Sequence, residues 1–184
     1  MKLETKEMVQ CALFVCLIAV FAQISIQLPT RVPITMQTLA IYFIALTSSR
    51  RVTLISTSLY ILMGAIGLSV FSGFSGGVAA LVGPAGGFLF SFPIMAYLIN
   101  LIAGEKESYV RWGLALLVGS IVCYTIGTVY FVFVTKSSII AALTACVIPF
   151  LPGDLAKVIV SVMLAKKLKR FVYQNKKVSL NSVN

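Results

Sequence analysis

Six apolar runs, at about 8–26, 36–47, 52–71, 88–103, 112–134 and 154–173, take up most of this chain, and its charges fall almost entirely between them. A helix needs roughly 20 residues at about 1.5 Å each to cross the ~30 Å hydrocarbon core of a bilayer. The first, third and fifth runs reach that length unaided; the fourth and sixth reach it with their flanks. Soluble domains are about a quarter charged. Here 11% of the 184 residues are charged and 59% are hydrophobic. Too few charges remain to cover a soluble surface. The pattern predicts an all-α, multi-pass membrane protein, a single transmembrane domain over residues 1–184, with lipid solvating its outer face.

The second run, QTLAIYFIALT, is too short alone and must be completed by the preceding PTRVPITM. Pro29 and Pro33 disfavour a continuous helix there. Irregular backbone at membrane depth survives only where protein buries it or where it lines a cavity. Residues 29–37 are therefore expected to line one.

Lysine and arginine set the orientation, because the cytoplasmic segments of membrane proteins are enriched in them. With both termini cytoplasmic, twelve of the 15 basic residues face inward. These are Lys2, Lys6, Arg50, Arg51, Lys106, Arg111, Lys166, Lys167, Lys169, Arg170, Lys176 and Lys177. Arg31, Lys136 and Lys157 remain on the outer side. A bundle of six transmembrane helices satisfies this bias. The bias also accounts for the net charge of +10 without nucleic acid, since no basic and aromatic interleaving marks a polar surface. The mixed-charge start MKLETKE, with no small-residue cleavage site after it, argues against a removable signal peptide. Four cysteines and no histidine make a zinc or haem site hard to build. Cys11, Cys16, Cys123 and Cys146 read as small apolar packing residues.

One carboxylate stands apart. In CVIPFLPGDLAKVIV, residues 146–160, Asp154 sits in apolar sequence, whereas Glu4, Glu7, Glu105 and Glu107 sit beside basic residues. Asp154 follows Pro152–Gly153, where the last helix is expected to begin, and so suits an N-cap. Lys157 follows one turn on, on the same face. Charges at membrane depth pair with each other or with a ligand. Capping and ligand binding are compatible, and both are expected.

Between the third and fourth runs, SVFSGFSGGVAALVGPAGGFLFSF carries Gly73, Gly76, Gly77, Gly83, Gly86 and Gly87 and no charge. It lacks the G-K-[ST] of a phosphate-binding loop. A free linker would not expose Phe71, Phe74, Val78, Leu81 and Val82. This Gly-rich outer loop is expected to fold back over the mouth of the bundle as a lid or wall.

Four segments in order, RVPITMQTLA, MGAIGLSVFSG, GPAGGFL and PFLPGDLAK, resemble the biotin-specific substrate-capture (S) component of energy-coupling factor (ECF) transporters, the BioY family. The resemblance runs over roughly residues 8–173. It implies a six-helix protein that captures biotin near its outer face in the plasma membrane of a prokaryotic cell. It also implies docking with a transmembrane coupling subunit driven by two cytoplasmic ATPase subunits. This chain has no Walker A motif, so ATP chemistry falls to those partners. The resemblance requires no cofactor, and the chain itself is not an enzyme. Two positions depart from the family pattern: TSSRR stands where a Gly-Pro pair often precedes the basic residues, and Ser91 stands where glycine is expected.

Biotin presents two ureido N–H donors, one ureido carbonyl, an apolar sulfur ring and a carboxylate tail. Asp154 can accept from a ureido N–H. Lys157 can donate to the ureido carbonyl or to the carboxylate, and both assignments stay open. Thr35 and Gln37 can supply donor and acceptor, or cap the second helix. Arg31 can meet the carboxylate or remain a solvated loop charge. Tyr42 and Tyr60 can wall the sulfur ring or simply pack. Gly77 and Gly87 are expected to supply shape and backbone N–H groups. Buried polar groups left unpaired are costly, so Asp154 and Lys157 are expected to bind each other in the empty site.

Ala12, Cys16 and Ala19 fall at i, i+4 and i+7 on the first helix, a small-residue stripe that lets another helix come close. S components meet their coupling subunit through an A-x-x-x-A-like patch there. The stripe is therefore the expected docking face, with internal packing as the other reading. Gly119, Cys123 and Gly127 form a second stripe, expected to pack inside the bundle. Three rival functions stand beside the main one. An S component for another vitamin should not carry PFLPGDLAK and VPITMQT together. A stand-alone secondary transporter normally shows an internal repeat and coupling-ion residues. A membrane enzyme would need a paired nucleophile and base, which this chain lacks.

Overall fold

The polar breaks in the sequence become helix boundaries. The structure, a computed structural model, describes residues 4–104 and 108–181, with the side chains of its last helix described as far as Phe171. Lys2, Glu105, Lys106 and Glu107 lie outside the described residues, as do the side chains of Lys176 and Lys177. The chain begins with α1 (Thr5–Gln23), then an antiparallel ribbon of β1 (Ser25–Ile26) and β2 (Ile34–Thr35). Next come α2 (Gln37–Thr47), α3 (Arg50–Ala65), a 3₁₀ turn at Ser72–Phe74 and α4 (Val78–Val82). It ends with α5 (Gly86–Ala103), α6 (Tyr109–Thr135), α7 (Ile139–Cys146) and α8 (Leu151–Asn181).

Serines start three of these helices. The hydroxyls of Ser49, Ser108 and Ser138 accept backbone N–H groups from Val52, Arg111 and Ala141 at the starts of α3, α6 and α7. A helix start leaves such donors without intrahelical partners. Ser49 thus does, in TSSRR, the boundary work expected of a Gly-Pro pair. The two prolines of the second run fall in the ribbon: Pro29 sits in a turn closed by Arg31 N–H donating to Leu28 O at 3.0 Å.

Among the described residues, α1, α5 and α6 are each long and apolar enough to cross a membrane. A fourth candidate is α7 together with Leu151–Phe171 of α8, bent by 47°. The six expected spans therefore become three, or four with the bent pair, on length alone. Helix α2 has 11 residues and α3 has 16. At 1.5 Å per residue they reach only about 16 and 24 Å of the ~30 Å core. The last span also differs from its expected bounds of 154–173. Pro149 and Pro152 each lack an N–H and crowd the preceding turn, so α7 stops at Cys146 and α8 restarts at Leu151. Asp154 is consequently not an N-cap. Its own N–H donates to Phe150 O at 2.9 Å, within the helical ladder.

Helix α2 lies in the middle, packed on α8, α5 and α1. It buries Gln37, Ala40, Ile41, Tyr42, Ile44, Ala45 and Leu46 over most of its circumference and leaves the apolar Leu39 and Phe43 half-buried on the remaining side. Such a helix has no polar face because it has no wet side. Helices α5 and α6 approach closely through glycines. A Cβ on Gly119 would meet Ile99, one on Gly127 would overlap Phe88, and one on Gly87 would overlap Tyr130. The second small-residue stripe is thus internal packing. Ser91 sits in the same interface, fully buried, donating to Phe88 O at 2.6 Å and lying 3.0 Å from Cys123 Sγ.

The two ends of the bundle differ in chemistry. Glu7 pairs with Arg51 at 3.2 Å, Arg111 Nε donates to Ile102 O at 2.6 Å, and Lys166 and Lys169 lie over the rings of Tyr109 and Trp112. These contacts gather the starts of α1, α3 and α6, the end of α5 and the basic stretch of α8 at one end. The ribbon, residues 66–85 and the start of α8 occupy the other.

Candidate ligand-binding site

Residues 66–85 are fastened to the helices beneath them. Gly77 N–H donates to Gly64 O at 2.7 Å, which folds the stretch back on the end of α3. Phe71 is 2% exposed, seated where a Cβ on Gly64 would overlap its ring and edge-on to Tyr60 with centroids 5.5 Å apart. Gln23, at the end of α1, donates to the Val70 and Phe71 carbonyls at 3.4 and 3.2 Å and accepts from Phe74 N–H at 2.9 Å. Gln27 donates to Ser72 Oγ at 3.1 Å. Phe71 and Leu81 are buried, whereas Phe74, Val78 and Val82 face outward. Only part of the expected apolar set turns inward.

Beneath this cover lies a cavity of about 660 Å³, within the roughly 300–1,000 Å³ of small-molecule sites. The ribbon supplies Gln27, Arg31, Val32, Pro33 and Thr35 to its wall, and α2 supplies Gln37, Thr38 and Tyr42. Phe71 to Ala85 form a second side through Phe71, Ser72, Gly73, Ser75, Gly76, Ala79, Ala80, Gly83, Pro84 and Ala85. Phe88, Leu89 and Phe92 of α5 give an apolar floor; Ser120, Cys123 and Tyr124 of α6 meet Phe150, Asp154 and Lys157 opposite.

The charged pair anchors a connected polar cluster. Lys157 Nζ lies 2.6 Å from Asp154 Oδ1 and donates to Thr38 Oγ1 at 3.1 Å. The Tyr124 hydroxyl donates to Asp154 Oδ2. Asp154 is 8% exposed and Lys157 5%. Burying two charges is costly unless they pair and their remaining groups are bonded, and this cluster meets both conditions. An ammonium carries three N–H donors and an ionised carboxylate about four acceptor positions. After Asp154 and Thr38, Lys157 keeps one donor, and Asp154 keeps free lone pairs. Nearby, Tyr42 OH lies 2.6 Å from Ser120 Oγ, which donates onward to Leu116 O at 2.8 Å. Gln37 Nε2 donates to Tyr60 OH at 2.5 Å, Tyr60 OH to Val70 O at 3.0 Å, and Thr35 Oγ1 to Gln37 Oε1 at 3.0 Å.

The structure brings Asp154, Lys157, Thr35, Gln37, Tyr42 and Arg31 to this one cavity. Gly77 and Gly87 do not line it. Gly77 has φ +82°, a conformation that favours glycine, and turns the chain into α4. Gly87 is spent on the contact with Tyr130. Gly73, Gly76 and Gly83 line the cavity instead. Tyr124, Thr38, Ser120, Phe88 and Phe92 also line it and were not singled out from sequence. Tyr60 stands behind the wall as a support for Gln37 and Phe71. On the far side of α1, Ala12 and Cys16 are exposed and Ala19 is half-buried.

Residues 1–174 match the BioY family. The chain belongs to that family. A Thermotoga maritima protein named biotin transporter BioY is 36% identical over 166 residues, 90% of this chain and 96% of that one. A Pyrococcus horikoshii protein named probable biotin transporter BioY is 36% identical over 170 residues, 91% of this chain and 98% of that one. A solved structure of the S-component for biotin from an ECF-type ABC transporter superposes with a TM-score of 0.81, over 92% of this chain and 95% of that one, at 22% identity. The likeness to that structure shows the fold. Family and apolar helices together make this a multi-pass membrane protein.

Proposed function

We propose that this protein is the biotin-capturing S component of an ECF-type uptake transporter. The observation that carries the reading is the Tyr124–Asp154–Lys157–Thr38 cluster, buried in one wall of a cavity whose other walls are largely apolar. A ureido group needs an acceptor and a donor side by side. Asp154 offers lone pairs to a ureido N–H, and the spare N–H of Lys157 points the other half of the recognition at the ureido carbonyl. Because the two side chains touch, they address one end of the ligand rather than two. Phe71, Phe88 and Phe92 then suit the sulfur ring. Arg31, on the ribbon turn, suits the carboxylate, with Gln27 and Thr35 beside it.

In this reading the bundle crosses the plasma membrane of a prokaryotic cell six times. The end rich in Lys and Arg is cytoplasmic, both termini included, and the Gly-rich loop and cavity face outward. The short α2 and α3 are completed by the ribbon and by residues 66–71. The protein performs no chemical step, so it is not an enzyme and needs no cofactor. It hands biotin on by docking with a transmembrane coupling subunit, itself driven by two ATPase subunits. Exposure of Ala12 and Cys16 supports the first helix as the docking face, since a stripe used for internal packing would be covered.

The deciding experiment is mass spectrometry of the small molecule that co-purifies with the protein in mild detergent. Biotin is expected. Thiamin, riboflavin or another vitamin in its place would sink the assignment while leaving the family intact.

A further inference from the structure

A second cavity, of about 630 Å³, opens on the outside of the bundle between α1, α2 and α8. Its sides are Leu17 and Phe21 of α1, Leu39 and Phe43 of α2, and Leu164 and Leu168 of α8. Its polar members are Lys167 and Arg170, and no acidic residue is among those lining it. These two cations come from a run of four whose members divide by helical spacing. Lys166 and Lys169, three apart, lie over Tyr109 and Trp112 at 3.8 and 4.7 Å. Lys167 and Arg170, also three apart, turn to the groove and are exposed. A long apolar slot that ends in paired cations, in a helix bundle that lives in lipid, complements one kind of molecule. Its tail is hydrocarbon and its head is an anion at the level of the membrane surface. Basic recesses between membrane helices hold anionic headgroups on this physical basis.

We propose that the α1–α2–α8 groove binds an anionic phospholipid, with an acyl chain along Leu17, Leu39 and Leu164 and the phosphate on Lys167 and Arg170. The site lies away from the biotin cavity, and the proposal does not depend on which ligand that cavity takes. Arg170 can meet phosphate oxygens with two parallel N–H donors, and Lys167 adds a point charge.

The test is native mass spectrometry of the purified full chain, titrated with dioleoyl-phosphatidylglycerol or dioleoyl-phosphatidylcholine. One phosphatidylglycerol per chain is expected, held up to about 30-fold more tightly than phosphatidylcholine, from about fivefold per cation. Lys167→Gln with Arg170→Gln should erase that preference. Lys166→Gln with Lys169→Gln, the same charge change on the aromatic side, should keep it. Leu164→Trp, at an exposed position on the groove, should reduce the binding of both lipids. Equal affinity for the two lipids would overturn the proposal. So would a preference lost to the same degree in both double variants, which would mark diffuse charge rather than a site. A photoreactive side chain at position 164 should label lipid in membranes; labelling of a protein chain in its place would assign the groove to a protein helix and overturn it as well.

Discussion

The Tyr124 hydroxyl on α6 donates to Oδ2 of Asp154 on α8, while Lys157 holds Oδ1 of the same carboxylate. The carboxylate is thereby fixed from two helices before any ligand arrives. Tyr124→Phe removes one donor from a buried anion. A hydrogen bond to a charged group is worth about 1.5–3 kcal/mol, so the unfolding midpoint of the ligand-free protein should fall by roughly 3–12 °C. Biotin affinity should fall too, because the acceptor is no longer held in place. An unchanged midpoint would mean that the phenol and carboxylate do not meet in the folded protein.

The Asp154–Lys157 pair separates stability from recognition. Asp154→Asn keeps an acceptor for Lys157 but loses the charge, and biotin should bind roughly 10- to 150-fold more weakly by calorimetry. Lys157→Met strands a buried carboxylate and should cost about 3–5 kcal/mol of stability. Adding Asp154→Leu to Lys157→Met removes the stranded charge, so much of the stability should return, whereas biotin binding should not. A double variant as unstable as Lys157→Met alone would show that the loss comes from packing and not from the unpaired charge.

Through its anomalies, the sequence pattern pointed to residues that line the cavity. Two prolines beside a too-short apolar run pointed to Arg31, Thr35 and Gln37, because irregular backbone in a membrane must line something. A lone carboxylate followed one turn later by an ammonium pointed to Asp154 and Lys157. Tyr124 and Thr38 carried no such signal. Their partners lie 30 and 119 residues away, and a tyrosine or threonine in an apolar helix looks the same whether or not it meets a charge. Glycines were ambiguous for a related reason. Gly87 sits in a Gly-rich stretch yet serves a helix contact, and which neighbour needs its missing side chain is a tertiary fact. Helix α7 was hidden because it is apolar like its surroundings, and only the placing of Pro149 and Pro152 divides it from α8.

Gly77 and Gly87 should therefore fail in different ways when replaced by valine. At Gly87 the new side chain meets Tyr130, and overpacking of this kind costs about 1–3 kcal/mol. The unfolding midpoint should drop, with biotin affinity lowered only as far as the fold is disturbed. At Gly77 nothing lies within 4 Å of a new Cβ, but φ is +82° with ψ 170°, a region that essentially only glycine occupies, and holding valine there costs on the order of 1–3 kcal/mol. The strain falls on residues 66–85, so biotin should leave faster while the helices stay intact. Dissociation rates and thermal unfolding of the two variants, measured side by side, check the distinction. Matching profiles would remove it.

Gln23 ties residues 70–74 to the end of α1 through three hydrogen bonds. Gln23→Leu deletes all three and keeps the side chain's bulk. Amide exchange at Phe74, whose N–H loses its acceptor, should accelerate in the free protein. Adding biotin should slow exchange across residues 72–87 in the natural protein, because a ligand favours the state that gives it more contacts. The slowing should be weaker in Gln23→Leu. Equal exchange with and without biotin would make this segment a fixed wall whose order owes nothing to ligand.

Ala12 and Cys16 are exposed on α1, on a face left uncovered among the described residues. Small side chains let a second helix approach closely, and van der Waals packing is the main force between helices in lipid. Leucine at both positions would hold a partner helix farther away without touching the cavity, which lies at the opposite end of α1 beyond Gln23. Uptake of biotin by cells should fall steeply, and co-purification with the coupling subunit should fall with it. Biotin affinity and unfolding midpoint of the isolated double variant should match those of the natural protein, because leucine at a lipid-facing position disturbs neither packing nor solvation. Both comparisons are needed. If isolated binding falls as far as uptake does, these residues support the fold or the cavity and the docking face lies elsewhere. If uptake persists with both leucines in place, the partner does not need close approach to this face of α1.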